Sequence, residues 1–278
     1  MVEISDKYDT STAGNFFTSY NKNLGNKLFI YACSRIIADI LDCDLICPEN
    51  ALIRRVNQET NEYENVVFPY SGIGNRRKIT SPTMVVNDND IASSGSIETL
   101  LSRFPNHGFF IQTYFSKYDY IKPYKKMVKE YFKSLTLPNR NNNDMVIMLR
   151  NSNMADNFML PDKYYTDIIE QETFDNLYIS LDHCNKHVSL LEKLEKYNPI
   201  FIEGDILNLF SQITSFNKII ASQGTFSFWA CFLSEAKIIY WPNTNDGPNS
   251  NNPTWGQLVN LKVDDEERYK HINININD

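Results

Sequence analysis

Ile219-Ile220-Ala221-Ser222-Gln223-Gly224-Thr225-Phe226-Ser227-Phe228-Trp229 is the stretch on which the fold turns. An apolar run (residues 218–221) ends in small hydroxylated residues and a glycine, and an apolar helical pattern over 226–233 follows at once. Such an order predicts a buried parallel strand, a tight turn, and a helix whose N-terminus faces a crevice. Backbone N–H groups and hydroxyls gathered at that point suit a phosphate. An ordinary βα turn capped by Ser or Thr accommodates the same residues.

Working outward, the second half alternates regularly. Strand patterns fall at 145–149, 177–180, 200–202, 218–221 and 237–240, and helical patterns at 161–170, 186–196, 206–213 and 226–233. Alternation of this kind predicts a parallel sheet with helices on both faces. The first half reads less regularly: strands at 15–20, 44–47, 83–86 and 108–113, and helices at 27–41, 96–102 and 120–135. Residues 49–81 are polar and resist assignment, and the Ile-Asn alternation of 272–277 reads as an edge strand. Leu137-Pro138-Asn139-Arg140-Asn141-Asn142-Asn143-Asp144 is the clearest linker. The expected class is therefore α/β, with domains at 1–140 and 141–278 and a cleft between them. Ligands of such sheets bind outside the carboxyl ends of the strands.

Composition narrows the function. With 278 residues, 42% hydrophobic and 22% charged, the chain is globular and able to bury one large core or two modest ones. A net charge of −7 argues against a nucleic-acid partner. No run approaches the ~18 apolar residues of a membrane span, and the acidic start has no apolar h-region, so no signal peptide is expected. The five cysteines (Cys33, Cys43, Cys47, Cys184 and Cys231) form an odd set, and the sequence contains no Asn-x-Ser/Thr acceptor; a reduced, cytoplasmic setting is expected. His183, Cys184 and His187 lack a further ligand pair, so no metal site is expected there. Heavy use of Asn, Ile and Lys suits a bacterium or a large DNA virus.

Five segments, in order, resemble the α-1,2-fucosyltransferase family. Asn23-Leu24-Gly25-Asn26-Lys27-Leu28-Phe29-Ile30-Tyr31-Ala32 is similar to its Gly-Leu-Gly-Asn-Gln-Leu-Phe-x-Tyr-Ala opening. Gly108-Phe109-Phe110-Ile111-Gln112-Thr113-Tyr114 is similar to its aromatic Gln-Ser segment. Leu149-Arg150, then Leu160-Pro161-Asp162-Lys163-Tyr164-Tyr165, stand where the family has His-x-Arg-Arg-Gly-Asp and a trailing Leu-Pro-x-x-Tyr-Tyr. Tyr178-Ile179-Ser180-Leu181-Asp182 and the Ser222 to Trp229 block complete the set. The resemblance implies a GT-B-like enzyme with two facing Rossmann-like domains. It also implies inverting transfer from a nucleotide sugar to an oligosaccharide acceptor without an essential metal, with the donor held by the C-terminal half and the acceptor by the N-terminal half. One arginine of the family's pair is kept, and the first glycine of the opening is Asn23. The loss of the other arginine removes a strong contact to the diphosphate, and with it the family's pattern for GDP-fucose. A UDP-linked sugar such as UDP-xylose is the expected donor, and a GDP-fucose-dependent fucosyltransferase the alternative.

Roles follow from what the chemistry needs. Arg150, at a strand's carboxyl end, is the candidate for the diphosphate. Ser222, Gln223, Gly224, Thr225, Phe226 and Ser227 would supply hydroxyl and backbone donors, and Asp182 hydrogen bonds to base or ribose. Gly25 and Asn26 would bring the first helix close to the donor, and Gln112 and Tyr114 would line the acceptor side. Asp88 and Asp90 are the candidates for the base that takes the acceptor proton. Asp88-Asn89-Asp90 also has the Asp-x-Asp form of GT-A transferases, in which carboxylates hold Mn²⁺ or Mg²⁺. A non-catalytic glycan- or nucleotide-binding relative is the remaining alternative.

Overall fold

The computed structural model describes residues 2–4, 24–43, 45–46, 53–56, 63–66, 83–105, 107–113, 115–140, 142–149, 159–181, 187–244 and 259–274. The chain divides into two compact units, Met1–Tyr131 and Phe132–Asp278. The first is built on β1 (Val2–Ile4), β2 (Leu45–Ile46), β5 (Thr83–Asn87) and β6 (Gly108–Gln112), parallel and in the order β2-β1-β6-β5. A separate antiparallel pair joins β3 (Ile53–Val56) to β4 (Tyr63–Val66). Helix α1 (Leu24–Ile40) is buried on nearly every face, as its apolar sequence requires. It starts three residues before the expected 27–41, so Gly25 and Asn26 lie in its first turn and not in a preceding loop.

β5 ends at Asn87, and Asp88 and Asp90 follow at once in the first turn of α2 (Asp88–Ser94), capped by Asn87. One further expectation for this unit is corrected. After α3 (Ile97–Arg103), the expected 120–135 helix is split into α4 (Tyr118–Ile121), a 3₁₀ turn at Lys122–Tyr124, α5 (Lys125–Tyr131) and a 3₁₀ turn at Lys133–Leu135. Pro123 sits in the first 3₁₀ turn, where it has no N–H to give to an α-helical ladder. The strand expected at 15–20 lies outside the described residues.

The second unit follows the alternation closely: β7 (Met145–Leu149), α6 (Asp162–Gln171), β8 (Leu177–Leu181), α7 (Val188–Leu194), β9 (Ile200–Phe201), α8 (Ile206–Thr214), β10 (Lys218–Ile220), α9 (Thr225–Leu233), β11 (Ile238–Thr244) and β12 (Tyr269–Ile274). Its six strands are all parallel, in the order β12-β11-β10-β7-β8-β9. Counted from β7 along the chain, that is the 3-2-1-4-5-6 order of doubly wound sheets, with the reversal between β7 and β10.

Every residue of β7 is buried, as a central parallel strand covered on both faces must be. Met145, Ile147 and Leu149 pack with Tyr164, Tyr165, Ile168 and Ile169 of α6 and Leu190 and Leu194 of α7. Val146 and Met148 alternate to the opposite face. On α8 and α9, Phe210 and Phe226 meet edge to face at 5.5 Å, and Phe228 meets Trp241 of β11 at 6.4 Å. Residues 132–140 are tied into this unit. Phe132 packs on Trp229 at 5.2 Å, Ser211 Oγ donates to the Leu135 carbonyl at 2.9 Å, and the Arg140 N–H donates to the Ser215 carbonyl at 2.9 Å. Among the described residues, no helix is long and apolar enough to cross a membrane.

Candidate functional site

In the second sheet, β10 pairs with β7 only as far as Ile220 opposite Ile147, whereas β7 continues beside β8 to Leu149 opposite Leu181. The two strands therefore part at their carboxyl ends, where the strand order reverses. The residues leaving β10 at this fork are Ala221, Ser222, Gln223 and Gly224, all buried. Gly224 is the N-cap of α9, with φ 108° and ψ 173°, a conformation essentially restricted to glycine. It offers no side chain to the first turn of the helix, and α9's intrahelical bonding starts with the Phe228 N–H donating to the Gly224 carbonyl at 3.0 Å. Thr225 and Phe226 follow as half-buried first-turn residues. Ser222 and Ser227 join their hydroxyls across the turn, Oγ to Oγ, at 2.7 Å. The site thus gathers two buried hydroxyls and the positive end of a helix dipole.

Two tyrosines on α6 underpin this fork. Tyr164 directs its hydroxyl to the Ala221 carbonyl at 3.0 Å and to the Tyr240 carbonyl at 2.9 Å, one proton shared between two acceptors. The Ala221 N–H donates to the same Tyr240 carbonyl at 2.9 Å. Tyr165 points its hydroxyl at the Met148 carbonyl of β7, a long 3.5 Å away. The rings meet edge to face at 4.9 Å. Burial pushes the pKa of both phenols up, for Tyr165 with help from the Asp162 charge, so each keeps its proton and serves as a donor. Neither was assigned a role from the sequence; their one signal there is the Leu160 to Tyr165 motif.

Of the other candidates, Arg150 directly follows β7 and Asp182 directly follows β8 in the chain; both lie outside the described residues. In the first unit, Asn87 and Gln112 stand in register at the ends of β5 and β6, so Asp88, Asp90 and Gln112 come to the same edge of that sheet. Tyr114 lies outside the described residues. Asp90 is occupied locally: its carboxylate accepts the Asn87 N–H at 2.9 Å while the Asn87 side chain accepts the N–H groups of Asn89 and Asp90. This reciprocal capping box gives Asp90 a structural reason that needs no ligand. Gly25 and Asn26 belong to the first unit's α1. Cys33, Cys43 and Cys231 are buried thiols, and burial pushes Cys231 up to about 12, so it is no nucleophile at neutral pH.

No protein-family model, no curated protein and no solved structure matches this chain.

Proposed function

We propose that the chain is an inverting glycosyltransferase, moving a sugar from a nucleotide-sugar donor to a hydroxyl of a glycan acceptor. The observation that supports this best is the Ser222–Ser227 turn at the reversal point of a six-stranded doubly wound sheet, the position at which such sheets bind ligands. In this reading the two units are the facing domains of a GT-B-like enzyme, the second taking the donor and the first the acceptor. The diphosphate seats on the α9 N-terminus and the serine hydroxyls, with Arg150 supplying the cation. These groups stabilise charge where it develops as the bond from the anomeric carbon to the diphosphate oxygen breaks. The acceptor oxygen attacks the opposite face of that carbon, and its proton passes to a carboxylate. Asp88 is the carboxylate to test first, since Asp90 already serves its helix cap. The donor is a UDP-linked sugar such as UDP-xylose, with GDP-fucose as the alternative, because the family's arginine pair is not kept whole here. No metal is assigned a step; Mn²⁺ or Mg²⁺ on Asp88 and Asp90 belongs to the metal-dependent alternative.

A thermal-shift screen against UDP, GDP, UDP-xylose, UDP-glucose and GDP-fucose, each with EDTA or Mn²⁺, tests the reading. The expected result is saturable stabilisation by one base in EDTA, about 2.7 kcal/mol at a hundredfold excess over Kd, lost in Arg150→Ala. Sugar release from that donor then separates an enzyme from a binding module. Stabilisation that needs Mn²⁺ and disappears in Asp88→Asn selects the metal-dependent mechanism, and no stabilisation by any nucleotide overturns the donor site.

A further inference from the structure

A proline on β11, beside the exit of β10, creates a hydrogen-bonding problem that one side chain solves. A buried backbone carbonyl needs a donor, and inside a sheet the neighbouring strand supplies it. Ala221 is wholly buried and lies one residue beyond the last β10–β11 pair, Ile220 with Tyr240. Its N–H still reaches β11, through the Tyr240 carbonyl. Its carbonyl receives the Tyr164 hydroxyl, because Pro242, the β11 residue whose N–H a parallel ladder would use there, has none. The same hydroxyl reaches the Tyr240 carbonyl, so one phenol on α6 ties the exit of β10 to the middle of β11.

Packing alone does not ask for this oxygen. Tyr164 sits among Met145, Ile147, Leu149, Tyr165 and Ile168, where a phenylalanine ring would serve the apolar contacts equally well. A phenol placed there costs free energy unless its hydroxyl is bonded, and the bonds it makes are to the β10 exit and to the β11 carbonyl that the Ala221 N–H also uses. The next residue after Ala221 is Ser222, and the α9 N-cap is two residues further on. An exit that rotates to find another donor for the Ala221 carbonyl moves Ser222 and the first-turn N–H groups together.

We propose that Tyr164 is a positioning residue for nucleotide binding, holding the β10 exit so that Ser222 and the α9 N-terminus converge on one phosphate. The role rests on the donor-site reading above.

The test compares Tyr164→Phe with Ile168→Val in the full-length chain. Ile168 lies on the same helix and in the same core, so its truncation loosens packing without touching the strand exits. Affinity for the nucleotide that most stabilises the wild type is measured by calorimetry, and amide hydrogen exchange is followed across 221–228. Tyr164→Phe should bind about five- to tenfold more weakly, the factor one ordinary hydrogen bond supplies, with faster exchange over 221–228. Ile168→Val should bind as the wild type does, despite a lower melting temperature. Equal affinity in Tyr164→Phe and wild type, or equal weakening in both variants, overturns the positioning role and leaves the donor site standing. A wild type that binds no nucleotide overturns the donor site first, and this role with it.

Discussion

The turns after β9 and β10 are built on one plan and finished differently. Each leaves the carboxyl edge of the same parallel sheet, passes through a glycine with positive φ, Gly204 at 138° and Gly224 at 108°, and enters a nine-residue helix. The β9 turn closes itself. Asp205 caps α8, its carboxylate accepting the N–H groups of Leu207 and Asn208 at 2.9 Å each and so setting a negative charge against the positive end of the dipole. The β10 turn ends in Gly224, which brings neither a side chain nor a charge. Placement differs too: β9 is an edge strand whose Ile200 and Phe201 are exposed, while β10 is central and α9 is buried over most of its length. Local chemistry alone therefore does not mark a binding turn. What distinguishes the β10 turn is a missing internal anion at the point where the strand order of this sheet reverses.

That contrast can be broken by substitution. The largest effect is expected from Gly224→Ala, which forces a Cβ into a glycine-only conformation at a buried turn and should lower unfolding stability by about 1–3 kcal/mol. Stabilisation by nucleotide should vanish with it. Ser222→Ala leaves the buried Ser227 hydroxyl without its partner and should cost about 1–2 kcal/mol in urea unfolding, with weakened nucleotide binding. Asp205→Ala removes a helix cap worth about 1 kcal/mol and should leave nucleotide affinity unchanged. Should Asp205→Ala weaken binding as much as Ser222→Ala does, the two turns are not functionally distinct.

The smallest effect is a matter of pH at the other end of β10. Lys218 at the start of the strand donates to Glu172 at 2.7 Å, and Tyr240 also donates to that carboxylate. Desolvation pushes Glu172 up, but the two hydrogen bonds and the Lys218 charge outweigh it, and the pKa stands below the ordinary 4.5. A lowered carboxylate stabilises the fold fully above the unfolded value and loses that contribution as pH falls through the folded one. Urea midpoints measured downward from pH 5 should therefore fall less steeply in Glu172→Gln than in the wild type.

The second unit was far more legible in the sequence than the first. β7, α6, β8, α8 and α9 begin and end within a residue or two of the expected bounds, because central parallel strands are continuous apolar runs and their helices keep one buried stripe. In the first unit β1, β3 and β4, at three or four residues each, are too short to set up a readable period. α2 was hidden for another reason: Asp88-Asn89-Asp90 has the composition of a catalytic or metal motif, and only the bond from the Asn87 N–H to Asp90 shows it as a cap. Tyr164 was similarly opaque. Its apolar setting predicts a core ring, and the carbonyl that uses its hydroxyl is 57 residues away in the chain.

The strand–turn–helix grammar around Ser222, the α/β class and the parallel alternation of the second half were all determined by the sequence, since each depends on burial and turn chemistry within a dozen neighbouring residues. The tertiary structure decided which strands lie side by side. Nothing near Leu149 or Ile220 states that β7 and β10 are neighbours, for strand order is set by the hand and length of crossovers and by pairing between distant segments. That adjacency turns an ordinary helix start into a candidate binding site, and the pairing of β10 with β11, which sets Pro242 beside Ala221, decides which carbonyl needs the hydroxyl of Tyr164.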